Sequence, residues 1–181
     1  MRADAARNMT TLLRTGARLL AEDPSTSMAA IALAAGVDRT TIHRRFASRE
    51  ALLQAVFHAK LDASERVLDD ARLAEAPVPV ALHRYLEGII PVSREWPIDT
   101  RRMMEQDPGA RDRRDALSER LLTFLRRAAD EGYVRSDVDA SWTYATLGRL
   151  VDTVAHDFPT LQAPQAADLV ADTFLRGLGA R

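Results

Sequence analysis

Apolar residues recur at intervals of three and four along almost the whole chain, and no stretch alternates convincingly with period two. That periodicity predicts an all-α chain in which each helix buries one stripe. Glycine and proline number only eight each and sit mostly between the periodic segments, where helices must stop. The first predicted helix runs over about 3–22, with Met9, Leu12, Leu13, Ala17 and Leu20 as its stripe, and Asp23-Pro24 ends it. Ser27 is a candidate N-cap for a short helix over 28–35, and Asp38 for another over 39–46. Ser48 opens a long helix in which Leu52, Val56, Phe57, Leu61 and Leu68 keep one face. Further helices are expected with Leu82–Ile90 up to Pro91, from Asp107-Pro108 to Gly132, from Asp139 to Pro159 with Phe158 inward, and over 164–178. A shorter one is expected around Trp96–Met104, giving about nine.

The 181 residues suffice for one or two small domains, and no repeat or low-complexity tract interrupts them. The absence of cysteine excludes a disulfide framework, a thiol nucleophile, a zinc finger and an iron–sulfur site. The histidines His43, His58, His83 and His156 are scattered, without metal-ligand spacing. No catalytic group, metal or cofactor is therefore expected. Lone pairs such as His156-Asp157 on helices are usually solvated. No apolar run reaches the ~18 residues of a membrane span, and the N-terminus does not read as a signal peptide. A cytoplasmic protein without a membrane partner is the expectation.

The net charge of −1 conceals an asymmetry. Residues 1–60 carry nine basic and five acidic side chains, whereas the remainder is acidic overall. A basic front suits an N-terminal unit that meets a polyanion; chance clustering is the bland alternative.

The segment SMAAIALAAGVDRTTIHRRF, residues 27–46, sharpens this. Two short helices meet at Gly36, which supplies the left-handed conformation that a tight turn needs. Ile31, Ala32, Ala35, Val37, Ile42 and Phe46 form the inner seam, with Val37 and Ile42 as a hydrophobic-staple pair. This is helix-turn-helix patterning. The outward face of the second helix shows Arg39, Thr40, Thr41, His43, Arg44 and Arg45, residue types suited to phosphates and base edges in a major groove. A plain αα-hairpin with a solvated basic face is the competing reading.

The stretch from Ser27 to Phe57 resembles the N-terminal domain of the tetracycline-repressor (TetR) family of bacterial regulators. Ser27 stands for the family threonine, Ile31-Ala32 and Ala35-Gly36-Val37 match, and His43-Arg44-Arg45-Phe46 stands for Tyr-x-x-Phe. Ser48-Arg49-Glu50 stands for the Lys-Glu step, and Leu52-Leu53 matches. Residues 132–139 resemble, more weakly, a loop before the family's eighth helix. His43 in place of tyrosine, Thr40 in place of a frequent glycine and Arg49 in place of lysine are departures.

The resemblance implies an N-terminal three-helix DNA-binding domain over 1–47 and a helical ligand-binding and dimerisation domain over 48–181. It implies a homodimer on double-stranded DNA, with recognition helices one helical turn apart, ~34–36 Å. The expected function is a ligand-responsive transcriptional regulator, a repressor that binds a pseudo-palindromic operator as a homodimer and that a small apolar or aromatic effector releases. Ser27, Thr41, His43 and Arg49 are expected on phosphates, and Arg39, Thr40 and Arg44 on bases. The last two helices are expected at the dimer interface, with Trp142, Leu150, Val154, Val170 and Phe174. The middle helices are expected to hold the effector among Leu61, Tyr85, Leu86, Ile89, Trp96, Met103, Met104, Leu121, Phe124, Leu125, Tyr144 and Leu147. A helix-turn-helix module without an effector is the rival reading.

Overall fold

The computed structural model describes residues 2–98 and 107–178, and among these the chain is helical throughout, with no strand. The helices are α1 (Arg2–Glu22), α2 (Met28–Ala34), α3 (Arg39–Arg45), α4 (Arg49–Ala71), α5 (Val78–Glu95), α6 (Pro108–Asp130), α7 (Ala140–Asp157) and α8 (Ala163–Leu178). Side-chain caps start most of them where the sequence places them. Ser27 accepts from the Ala30 N–H at 3.2 Å, Asp38 from Thr40 at 2.7 Å and Ser48 from Ala51 at 3.2 Å. Asp107 accepts from Ala110 at 2.9 Å and Asp139 from Ser141 at 2.8 Å. Each satisfies an amide that the first helical turn leaves without a partner.

Two glycines do the work of helix termination. Gly36 (φ +68°) follows α2 and Gly132 (φ +79°) follows α6. At the first, the Val37 N–H reaches the Ala32 carbonyl at 3.0 Å; at the second, Tyr133 reaches Ala128 at 2.8 Å. Both turns close the orphan carbonyls of the helix they end.

Three expectations change. Pro91 does not end α5, which continues to Glu95. Proline removes one backbone bond and costs ~3 kcal/mol inside a helix. Here Pro91 is exposed, while the turn beyond it is anchored by buried Ser93 and by Arg94. The Arg94 guanidinium donates to the carbonyls of Leu161 (2.8 Å), Phe158 (3.2 Å) and Val154 (3.4 Å). Phe158 does not point inward; it is 51% exposed at the residue where the chain leaves α7. No helix follows Trp96 as far as Ile98, and Met103 and Met104 lie outside the described residues.

The chain packs as two compact units. The first comprises residues 1–62 and 95–112, and the second 63–94 and 113–181. The first unit therefore takes in the start of α4, beyond the boundary expected at 47/48. Within it α1 packs on α2 and α2 on α3, around Leu12, Ala17, Ile31, Ala32, Ile42, Leu52 and Phe57. Within the second, α7 packs on α8, and Leu86, Ile90, Leu125, Leu147, Val151, Val170 and Phe174 are buried.

Gly88 on α5 meets α4 closely. A Cβ there would stand 2.9 Å from Cγ1 and 3.0 Å from Cγ2 of Val67. Overpacking of this kind costs ~1–3 kcal/mol, and valine has little rotamer freedom in a helix with which to yield. The better helix propensity of alanine returns just under ~1 kcal/mol. Gly88→Ala is thus expected to lower unfolding free energy by about 1 kcal/mol in a urea titration, and adding Val67→Ala to relieve the clash. A Gly88→Ala protein as stable as the parent would show that the helices part without cost.

Candidate nucleic-acid interface

The front of the first unit is built from α2 and α3. Ile42 is fully buried and Phe46 nearly so, which pins α3 by its inner side. That leaves the other side outward. Arg39, Thr40, His43, Arg44 and Arg45 are all exposed, and Thr41 is half-buried. Among the described residues no carboxylate forms an ion pair with Arg39, His43, Arg44 or Arg45. Elsewhere arginines are largely spent on partners. Arg120 pairs with Asp69 at 2.7 Å, Arg135 with Asp137 at 2.6 Å, and Arg14 with Glu95. An unneutralised cationic face on one short helix attracts phosphate.

The polar residues around α3 divide by what they already do. Ser27 is exposed, and its oxygen accepts from Ala30, so its O–H remains available to an outside acceptor. The Thr40 hydroxyl donates to Asp38 Oδ1 at 2.5 Å, beside the Thr40 N–H on the same oxygen. The hydroxyl first, and then that N–H, hold the Asp38 carboxyl below the usual carboxylate range. Arg49 opens α4 and is half-buried, and its Nε is buried without a hydrogen-bond partner among the described residues. Its charge contributes, behind the Ser25 hydroxyl and N–H, to lowering the Asp23 carboxyl. It likewise acts on Glu50, behind that residue's own N–H and the Ser48 hydroxyl. Arg49 is half-buried, unlike the exposed arginines of α3.

The residues expected to line an effector site fall in both units. Leu61 and Trp96 are buried in the first unit. Tyr85, Leu86, Leu121, Phe124, Leu125 and Leu147 are buried in the second, where Ile89 and Tyr144 are half-buried. The Tyr144 hydroxyl lies 3.0 Å from Ser118 Oγ, and burial pushes the Tyr85 hydroxyl upward. A cleft of about 850 Å³ instead opens between the end of α4 and α6, over Leu68, Leu73 and Phe124, with Arg72, Arg120 and Arg127 around it. Of the expected lining, Phe124 borders it. Apolar periodicity finds buried residues, and it carries no signal for the turn at 72–75 that forms one wall.

Of the residues expected at a dimer interface, Trp142 is 64% exposed and Leu150 half-buried. Val154, Val170 and Phe174 are buried in the chain's own core, so they cannot offer a surface to a partner in this packing. Leu169 on α8 is 48% exposed. On α7 the exposed side continues through Ala145 and Gly148, and a Cβ at Gly148 would meet nothing.

Among the described residues no group of three or more His, Asp or Glu side chains is placed to hold a metal ion, and no helix is long and apolar enough to cross a membrane.

Comparison with known proteins places this geometry. The family model described as "Bacterial regulatory proteins, tetR family" matches residues 12–56. The HTH-type transcriptional repressor LfrR of Mycolicibacterium smegmatis is 37% identical over 70 residues, a stretch covering 39% of this chain and 37% of that repressor. The crystal structure of LfrR in complex with proflavine superposes with a TM-score of 0.73 at 22% identity, covering 97% of this chain and 99% of that one. The ketosteroid regulator KstR2 of Mycobacterium tuberculosis gives 0.78 at 20% identity, covering 94% of each chain. At these identities the structures share the fold, along nearly the whole chain.

Proposed function

We propose that this chain, whose residues 12–56 are a DNA-binding domain of the tetR family of bacterial regulatory proteins, is a transcriptional repressor that binds a pseudo-palindromic operator as a homodimer. The observation that carries the reading is the outward side of α3: Arg39, Arg44 and Arg45, three cations without carboxylate partners among the described residues, with His43 beside them, on a helix clamped from behind by Ile42. Ser27, Thr41, His43 and Arg49 hold phosphates, and Arg39, Thr40 and Arg44 face bases. Phosphate contacts fix register, and base contacts discriminate.

The dimer forms through the exposed sides of α7 and α8, with Trp142 and Leu169 as its apolar anchors. Ala145 and the uncrowded Gly148 allow close helix approach there. The repressor works in the cytoplasm, and a small apolar or aromatic molecule lodged in the helical second unit releases it. Support for that class comes from the aromatic proflavine bound by LfrR, which shares the fold. An effector acts only through unequal affinity for DNA-competent and relaxed states. Helix α4, which begins after α3 and contributes residues to both units, is the element through which the two communicate.

Selection of bound sequences from random DNA with the purified protein tests the reading. The expected result is a two-fold consensus with half-sites about one helical turn apart. Recovery of no consensus would overturn it; recovery of a consensus without small-molecule release would favour a module lacking an effector. On the selected operator, Arg44→Ala is expected to cost ~1–3 kcal/mol against operator DNA and much less against random DNA. Arg49→Ala is expected to weaken both alike. Equal losses on the two DNAs for Arg44→Ala would take that side chain off the bases.

A further inference from the structure

Thr40 occupies an unusual position on α3, because its hydroxyl is already committed. Oγ1 donates to Asp38 Oδ1 at 2.5 Å, and the same carboxylate oxygen takes the Thr40 N–H at 2.7 Å. This pair of bonds fixes the side chain against the helix cap. With the oxygen committed to Asp38, the part of this exposed side chain left free for an outside contact is its methyl group. The residue therefore presents carbon, not a donor, in the middle of a polar and cationic face. A base edge that suits an apolar tip is one that offers a methyl group, and in the major groove that base is thymine.

We propose that Thr40 is a specificity-determining residue that selects thymine through methyl–methyl contact, held in that orientation by its hydroxyl bond to Asp38. The inference rests on the operator-binding reading above. It assigns Thr40 one base and one atom, where that reading assigns it only to base edges.

The test uses the full-length protein and the operator recovered by selection. Each thymine in turn is replaced by deoxyuridine, which removes the methyl alone. Burial of one methyl-sized group corresponds to about a fourfold change in affinity. Wild-type protein is expected to lose about fourfold when one particular thymine per half-site is replaced in one half-site, and about fifteenfold when it is replaced in both. Thr40→Ser keeps the hydroxyl and lacks the methyl; it is expected to bind thymine and uracil operators alike at that position. Thr40→Val keeps a methyl and loses the hydroxyl, while Asp38 still accepts the backbone N–H; it is expected to retain the discrimination. An operator without thymine in the contacted positions, equal binding of all uracil-substituted operators by wild-type protein, or undiminished discrimination by Thr40→Ser overturns the proposal. A protein that selects no sequence at all overturns the regulator reading, and this inference with it; a selected operator indifferent to thymine methyls overturns this inference alone.

Discussion

Phe174→Asp is expected to unfold the chain and not to release folded monomers. Phe174 is 1% exposed on the inner side of α8, with Val170 one turn before it and equally buried. Truncating a buried phenylalanine costs ~3–5 kcal/mol through lost transfer energy and the cavity left behind. An aspartate adds the cost of placing a carboxylate among aliphatic side chains. Together these approach or exceed the ~5–15 kcal/mol that holds a typical domain folded. Circular dichroism should show loss of most helical signal at 25 °C. A helical, cooperatively melting Phe174→Asp protein would mean that α8 sits with its other side inward.

The contrasting substitution is on the opposite side of the same two helices. Trp142→Asp combined with Leu169→Asp changes residues that are 64% and 48% exposed. Neither leaves a hole in the core, so the helical signal and melting temperature are expected to stay close to those of the parent. Sedimentation should instead report monomers. Specific protein–DNA complexes exceed non-specific ones by ~4–10 kcal/mol. A subunit that engages one half-site keeps about half of that margin, so operator affinity should fall at least about 30-fold. A double variant that still sediments as a dimer would place the two-fold interface elsewhere on the molecule.

These two predictions mark where the sequence stops speaking. Helix starts were legible because a cap is local: Ser27, Asp38, Ser48, Asp107 and Asp139 each accept an amide two or three residues on, and nothing distant is needed. The helix-turn-helix was legible for the same reason, since Gly36 and the Ile31–Ile42 seam are set within twelve residues. What covers a second apolar side was not. Periodicity ranks Val154, Val170 and Phe174 with Trp142 as apolar residues of late helices, yet three face their own core and the fourth faces outward. That choice depends on the tilt of one helix on another, which no spacing encodes. Pro91 misled because a proline's cost is local while the anchoring that overrides it, by Arg94 on carbonyls sixty or more residues away, is not. Clefts were the least legible feature. A cavity is a shortfall of packing, and the residues that border one look the same in a sequence as those that fill the core.

The Arg94 side chain carries one more implication. It ties the last turn of α5 to the corner joining α7 and α8, by way of Leu161 and Phe158. The corner is thus moored to a helix of the interior by a guanidinium. Any small rotation of that helix reaches the corner as a tug on one rope, without having to displace the aliphatic filling in between.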